Sequence, residues 1–141
     1  MRCEHIMKRN LEWVSPQDTV QTAATRMRDQ NVGFLPVCEV ERRVLGTVTD
    51  RDLAVRVLAE GLPASCLVQD VMTPEVVACR PEDDLRRAEE LMILNRVSRM
   101  MCVEENGILA GVISLSDIAR QDKSSRAAQT MRGISEREAR L

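Results

Sequence analysis

The stretch GVISLSDIA, Gly111 to Ala119, ends an apolar run on hydroxyls and sets an aspartate one helical step further on. It has an echo. GTVTDRDLA, Gly46 to Ala54, carries the same skeleton: Gly, apolar residues, Ser or Thr, two residues, Asp, an aliphatic residue, Ala. The two copies lie 65 positions apart, from Gly46 to Gly111.

That offset extends without gaps from Ile6 onward. It places Met7 on Met72, Pro16 on Pro81, Asp18 on Asp83, Ala23 on Ala88, Met27 on Met92 and Asp52 on Asp117. A gapless self-match over most of a unit marks an internal duplication. In each copy a short strand comes first, Leu11 to Val14 or Val76 to Cys79. A Pro-containing turn then leads to Asp18 or Asp83 near a helix start. Val20, Ala23, Ala24 and Met27 recur at helical spacing, as do Leu85, Ala88 and Met92, with Leu91 widening the stripe. A hairpin follows, and Asn106-Gly107 suits its tight turn in the second copy. A second helix should bury Leu53, Ala54, Val57 and Leu58 and end at Gly61.

The expected fold class is therefore α/β (α+β). It consists of two β-α-β-β-α units packed sheet to sheet with pseudo-twofold symmetry, because neither half alone buries enough surface. The units should span residues 1–62 and 63–122, with a helical or disordered tail over 123–141. A ferredoxin-like β-α-β-β-α-β order would need a closing strand, and the polar sequence after Ala119 supplies none. In the tail, Ala127, Met131 and Ile134 share an i, i+4, i+7 face.

Composition narrows the function. The net charge of −2, with charged residues at 30%, leaves no basic footprint for nucleic acid. No apolar run reaches the roughly 20 residues of a membrane span, and MRCEHIMKRN lacks a secretory apolar core, so the expected location is cytoplasmic. Trp13 and Phe34 are the only aromatics, leaving Val, Leu, Ile, Ala and eight Met to build the core. Five cysteines without a C-x-x-C read as reduced, buried thiols. Cys79 and Cys102 on neighbouring strands form the alternative redox pair. Cys3 and His5 fall short of a four-ligand zinc site, and no metal is expected. A single histidine and no catalytic constellation argue against an enzyme.

The hydroxyl-and-aspartate motif has two readings. Ser114-x-x-Asp117 and Thr49-x-x-Asp52 match a capping box, in which the hydroxyl and the acid merely close a helix N-terminus. Alternatively, the free N–H groups of the helix favour phosphate and the carboxylate accepts both hydroxyls of a ribose. Gly46 and Gly111 would then let the backbone approach a flat ring, with Val48, Val112 and Ile113 as its apolar floor.

FLPVC…VLGTVTDRDLA and VSRMMCVEENGILAGVISLSDIA, in this order and register, resemble a tandem pair of CBS domains, the modules named after cystathionine β-synthase. The resemblance runs from about Cys3 to Gln121. It implies a regulatory module without catalysis. Such a module binds AMP, ADP, ATP or S-adenosylmethionine in clefts between its two units and requires no cofactor. It also implies homodimerisation and a separate effector protein, with no nucleic acid and no membrane as partner.

Carried over by residue, Asp117 matches the ribose aspartate, with Ser114 and Ser116 as its hydroxyl neighbours. Arg99 matches a phosphate-binding arginine, and Ser98 stands where the family often has histidine. Val32, Gly33 and Phe34 match residues flanking the adenine of that site. In the other site Asp52 and Thr49 face the ribose and Arg51 reaches for phosphate. Val97, Ser98, Thr73 and Pro74 complete it. Phe34 holds the position of Arg99 there, so the two sites should be unequal. The alternative is a ligand-free dimerisation scaffold in which both motifs only cap helices.

Overall fold

The computed structural model describes residues 1–121 and 125–139. Residue 122, the end of the expected second unit, and residues 123, 124, 140 and 141 of the expected tail lie outside the described residues. Two compact units form, one from Glu12–Val76 and the other from Met1–Leu11 with Val77–Leu141.

In the first, α1 (Val20–Gln30) precedes the antiparallel strands β1 (Phe34–Glu39) and β2 (Arg43–Thr49). Thr19 caps α1 by accepting the Thr22 amide on its hydroxyl, which satisfies one of the free N–H groups of the first turn. Asn31 ends the helix in the left-handed conformation. Val20, Ala23 and Met27 are buried as the helical spacing predicts, whereas Ala24 is exposed. Val14 forms a parallel bridge to Val37, as a β-α-β connection requires. Val14, Ala23, Met27, Leu35, Val37, Val48 and Val68 make the core.

The second helix departs from expectation. After α2 (Asp50–Asp52) the chain continues as a π-helical segment, Leu53–Leu58. The Ala59 amide accordingly donates to the Ala54 carbonyl, five residues back. The extra residue per turn rotates the register. Val57 stays buried, but Ala54 is exposed and Leu58 is 79% exposed. Gly61, at φ +69°, follows the segment in the left-handed conformation. The short helix α3 (Val68–Val71) completes this unit.

The second unit contains a three-stranded sheet, in which β3 (Ala78–Cys79) runs parallel to β4 (Arg99–Val103) and β4 pairs antiparallel with β5 (Leu109–Ser114). Between β3 and β4 lies α4 (Leu85–Asn95), capped by Asp84 and ended by left-handed Arg96, the equivalent of Asn31. Leu85, Ala88 and Met92 are buried and Leu91 packs against them. Gly107 turns the hairpin at φ +88°. Two helices follow, α5 (Leu115–Gln121) and α6 (Ser125–Ala139). Ile134 of α6 joins the core, and Gly133 sits so close to Ile93 of α4 that a Cβ would lie 2.8 Å from its side chain. The described part of the tail is thus a helix packed on its own unit. The Ala127 side chain lies outside the described residues, and Met131 is 48% exposed.

The units do not follow the expected boundaries at 62 and 122. The opening segment of each repeat pairs with the hairpin of the other. Lys8 exchanges both main-chain hydrogen bonds with Val112 of β5, at 2.9 and 3.1 Å. Thr73, the repeat equivalent of Lys8, exchanges both with Thr47 of β2, at 2.8 and 3.0 Å.

This exchange explains the paired glycines. A Cβ on Gly46 would lie 2.2 Å from the Thr73 carbonyl oxygen, and one on Gly111 would lie 2.7 Å from the Met7 side chain and 2.9 Å from the Lys8 carbonyl oxygen. The glycines admit the exchanged segments, which corrects the expectation that they make room for a flat ring.

Candidate functional site

In the second unit β5 delivers Ser114 to the start of α5. Register places Arg99, the first residue of β4, opposite Ser114. The Leu115 amide donates to the Ser98 carbonyl at 2.8 Å, which ties α5 to the strand start. A pocket of about 370 Å³ opens here. Ser98 and Arg99 line it from β4, Ser114 from β5, Leu115, Ser116 and Ala119 from α5, and Met131 from α6. The Ser114 and Ser116 hydroxyls stand 2.9 Å apart. The pocket therefore combines a cation, hydroxyls that donate or accept, and apolar walls.

Asp117 is not among the lining side chains and is only 5% exposed. It closes the capping box: the Ser114 amide donates to Oδ2 at 2.9 Å, and the Asp117 amide donates to Ser114 Oγ at 3.1 Å. Its other oxygen, Oδ1, meets Arg120 and, at 3.5 Å, Lys8 Nζ. Burial pushes the carboxyl pKa up. The Ser114 hydrogen bonds and the Lys8 and Arg120 charges outweigh burial and hold it below the usual carboxylate range. The buried group is thus a carboxylate with one oxygen fixed by main chain and one held by cations.

The first unit repeats this frame. The Thr49 amide donates to Asp52 Oδ2 at 3.0 Å and the Asp52 amide to Thr49 Oγ1 at 3.1 Å. Arg56 Nε lies 3.8 Å from Asp52 Oδ1, and Arg56 also donates to the Val71 and Met72 carbonyls. The Asp50 amide donates to the Gly33 carbonyl at 2.9 Å, as Leu115 does to Ser98. A Cβ on Gly33 would lie 2.6 Å from the Asp50 carboxylate, so this glycine permits a close approach. Phe34 stands opposite Thr49, where the other unit has Arg99 opposite Ser114. Val32 packs on the core and Arg51 is exposed.

Of the other expected site residues, Val97 packs against the core of its unit, and Val112 is 9% exposed and bonded to Lys8. Thr73 is bonded to Thr47, and exposed Pro74 packs over Gly46.

Sequence reasoning missed Lys8, Arg120, Arg56 and Met131. Arg120 and Arg56 carried a signal, since they follow their aspartates at i+3 and i+4 on a helix. Lys8 carried none, because its partner is reached only through the exchange.

The chain belongs to the CBS domain family, whose model matches residues 3–59 and 68–124. It is similar to the CBS domain-containing protein YhcV of Bacillus subtilis, 40% identical over 116 residues that span 82% of this chain and 81% of that protein. Among solved structures it resembles Hypoxic Response Protein I, solved with two coordinated zinc ions. That match has a TM-score of 0.80 and 27% identity, covering 86% of this chain and 99% of that one. It also resembles CBSX2 in complex with AMP, with a TM-score of 0.74 and 25% identity over 85% of this chain and 94% of that one. CBS pairs are regulatory modules, and this one is of mixed α/β build with two small sheets.

Proposed function

We propose that this chain senses an adenosine-containing nucleotide and signals to a partner by a shift between conformations. The pocket beside Arg99 carries the reading. Its volume of about 370 Å³ falls in the range typical of small-molecule sites. The Arg99 guanidinium suits a phosphate, and the Ser114 and Ser116 hydroxyls suit a sugar. The AMP complex of CBSX2 supports the ligand class. The Asp117 amide donates to the Ser114 hydroxyl, which stands 2.9 Å from the Ser116 hydroxyl, so the cap fixes the position of the hydroxyls offered to a sugar. Phe34 in the equivalent place favours unequal sites, with the Asp52 side weaker toward phosphate. A ligand that binds one conformation better shifts the population toward it, and a separate effector would read that shift. In this reading the chain is a cytoplasmic homodimer without enzymatic activity.

One observation favours the scaffold reading: both S/T-x-x-D motifs form complete capping boxes. Thermal melting with AMP, ADP, ATP and S-adenosylmethionine separates the two. Sensing predicts a rise in Tm with at least one nucleotide, because a ligand of the native state stabilises it by mass action. No rise with any of them favours the scaffold.

A further inference from the structure

The sulfurs of Cys3, Cys79 and Cys102 all lie within 4.8 Å of one another, and the three residues are buried. Cys79 Sγ is 3.6 Å from Cys3 Sγ and 3.5 Å from Cys102 Sγ. Three elements converge: the N-terminal turn Cys3–His5, β3 and β4, with Cys79 directly opposite Cys102 in the parallel register.

The duplication gives this cluster its own control. The repeat equivalents of Cys3, Cys79 and Cys102 are Val68, Val14 and Val37. Those valines are all fully buried in the core of the other unit, and Val14 bridges Val37 as Cys79 pairs with Cys102. The fold is therefore satisfied by three valines at these positions. Packing alone does not call for three thiols.

We propose that Cys3, Cys79 and Cys102 form a binding site for a single thiophilic d10 metal ion, held by three thiolates in the core of the second unit. Soft thiolate donors select copper(I) and zinc. Three sulfurs about 2.3 Å from a zinc-sized ion stand roughly 3.8 Å apart, so the two separations to Cys79 differ from that by only a few tenths of an ångström, and the third pair lies within 4.8 Å. Binding releases the thiol protons. The ion would clip the N-terminal segment to the sheet. All three donors come from one unit, and none belongs to the nucleotide pocket.

The test loads the full chain, reduced and anaerobic, with copper(I) in one arm and zinc(II) in the other, desalts it, and measures bound metal. The expected result is about one equivalent in at least one arm, with a rise in Tm. The Cys66→Ser control should behave alike. The triple variant Cys3→Val, Cys79→Val, Cys102→Val copies the valine set of the other unit and should keep the fold while losing the ion at least about tenfold. X-ray absorption on the loaded wild type gives a second readout that needs no variant. Three sulfur neighbours are expected, with an added oxygen where zinc completes four ligands. The proposal is overturned if neither ion is retained, if the valine variant retains as much as the wild type, or if the metal has fewer than three sulfur neighbours.

Discussion

Asp117 and Ser114 hold each other reciprocally: the Ser114 amide donates to the carboxylate at 2.9 Å, and the Ser114 hydroxyl accepts the Asp117 amide at 3.1 Å. The same pair of bonds joins Asp52 and Thr49 in the other unit. The cap uses one carboxylate oxygen and leaves the other facing cations.

Acid should weaken the second unit through Asp117. Its native pKa lies below the ordinary value of 3.8. The carboxylate thus stabilises the fold fully above that value, and the contribution is lost as pH falls through the lower native pKa. Urea unfolding of wild type and Asp117→Asn between about pH 5 and pH 2 checks the sign. The wild type should lose more stability over that window. Parallel losses would contradict the assignment.

Alanine at the paired glycines should separate by what the new methyl meets. Gly46→Ala strikes the Thr73 carbonyl oxygen at 2.2 Å, backbone held in a two-bond bridge. Gly111→Ala meets the flexible Met7 side chain at 2.7 Å and the Lys8 carbonyl oxygen only at 2.9 Å. Both should destabilise, by about 1–3 kcal/mol, with Gly46→Ala the worse. Chemical denaturation of the two variants measures the order.

Met131 borders the pocket while remaining 48% exposed. Met131→Trp should therefore fill pocket space with little effect on Tm, and should lower nucleotide affinity about tenfold, a change of about 1.4 kcal/mol. Unchanged affinity would place the ligand away from α6.

The duplication, the hairpins and the helix faces were legible because they are local and periodic. The left-handed ends at Asn31 and Arg96 and the caps at Thr19 and Asp84 obey the same offset. The exchange of opening segments was not legible. Lys8 meets Val112 across most of the chain, and nothing within one repeat distinguishes that partner from the nearer one. The π-helical segment at Leu53–Leu58 escaped for a different reason: an apolar stripe read at 3.6 residues per turn assumes the register that the extra residue breaks. At the site, Ser114, Ser116 and Arg99 were found from their motif and do converge. The cysteine triad was hidden because its members come from three elements, and only Cys79 and Cys102 could be linked through neighbouring strands.

Calorimetric titration of AMP and adenosine into wild type and Arg99→Ala bears most directly on nucleotide sensing. A charge-assisted phosphate contact contributes about 1.5–3 kcal/mol. AMP should therefore bind the wild type and lose at least about tenfold in affinity in Arg99→Ala, while adenosine binds both alike. Equal AMP affinity in the two proteins, or no AMP binding to the wild type, would contradict the account.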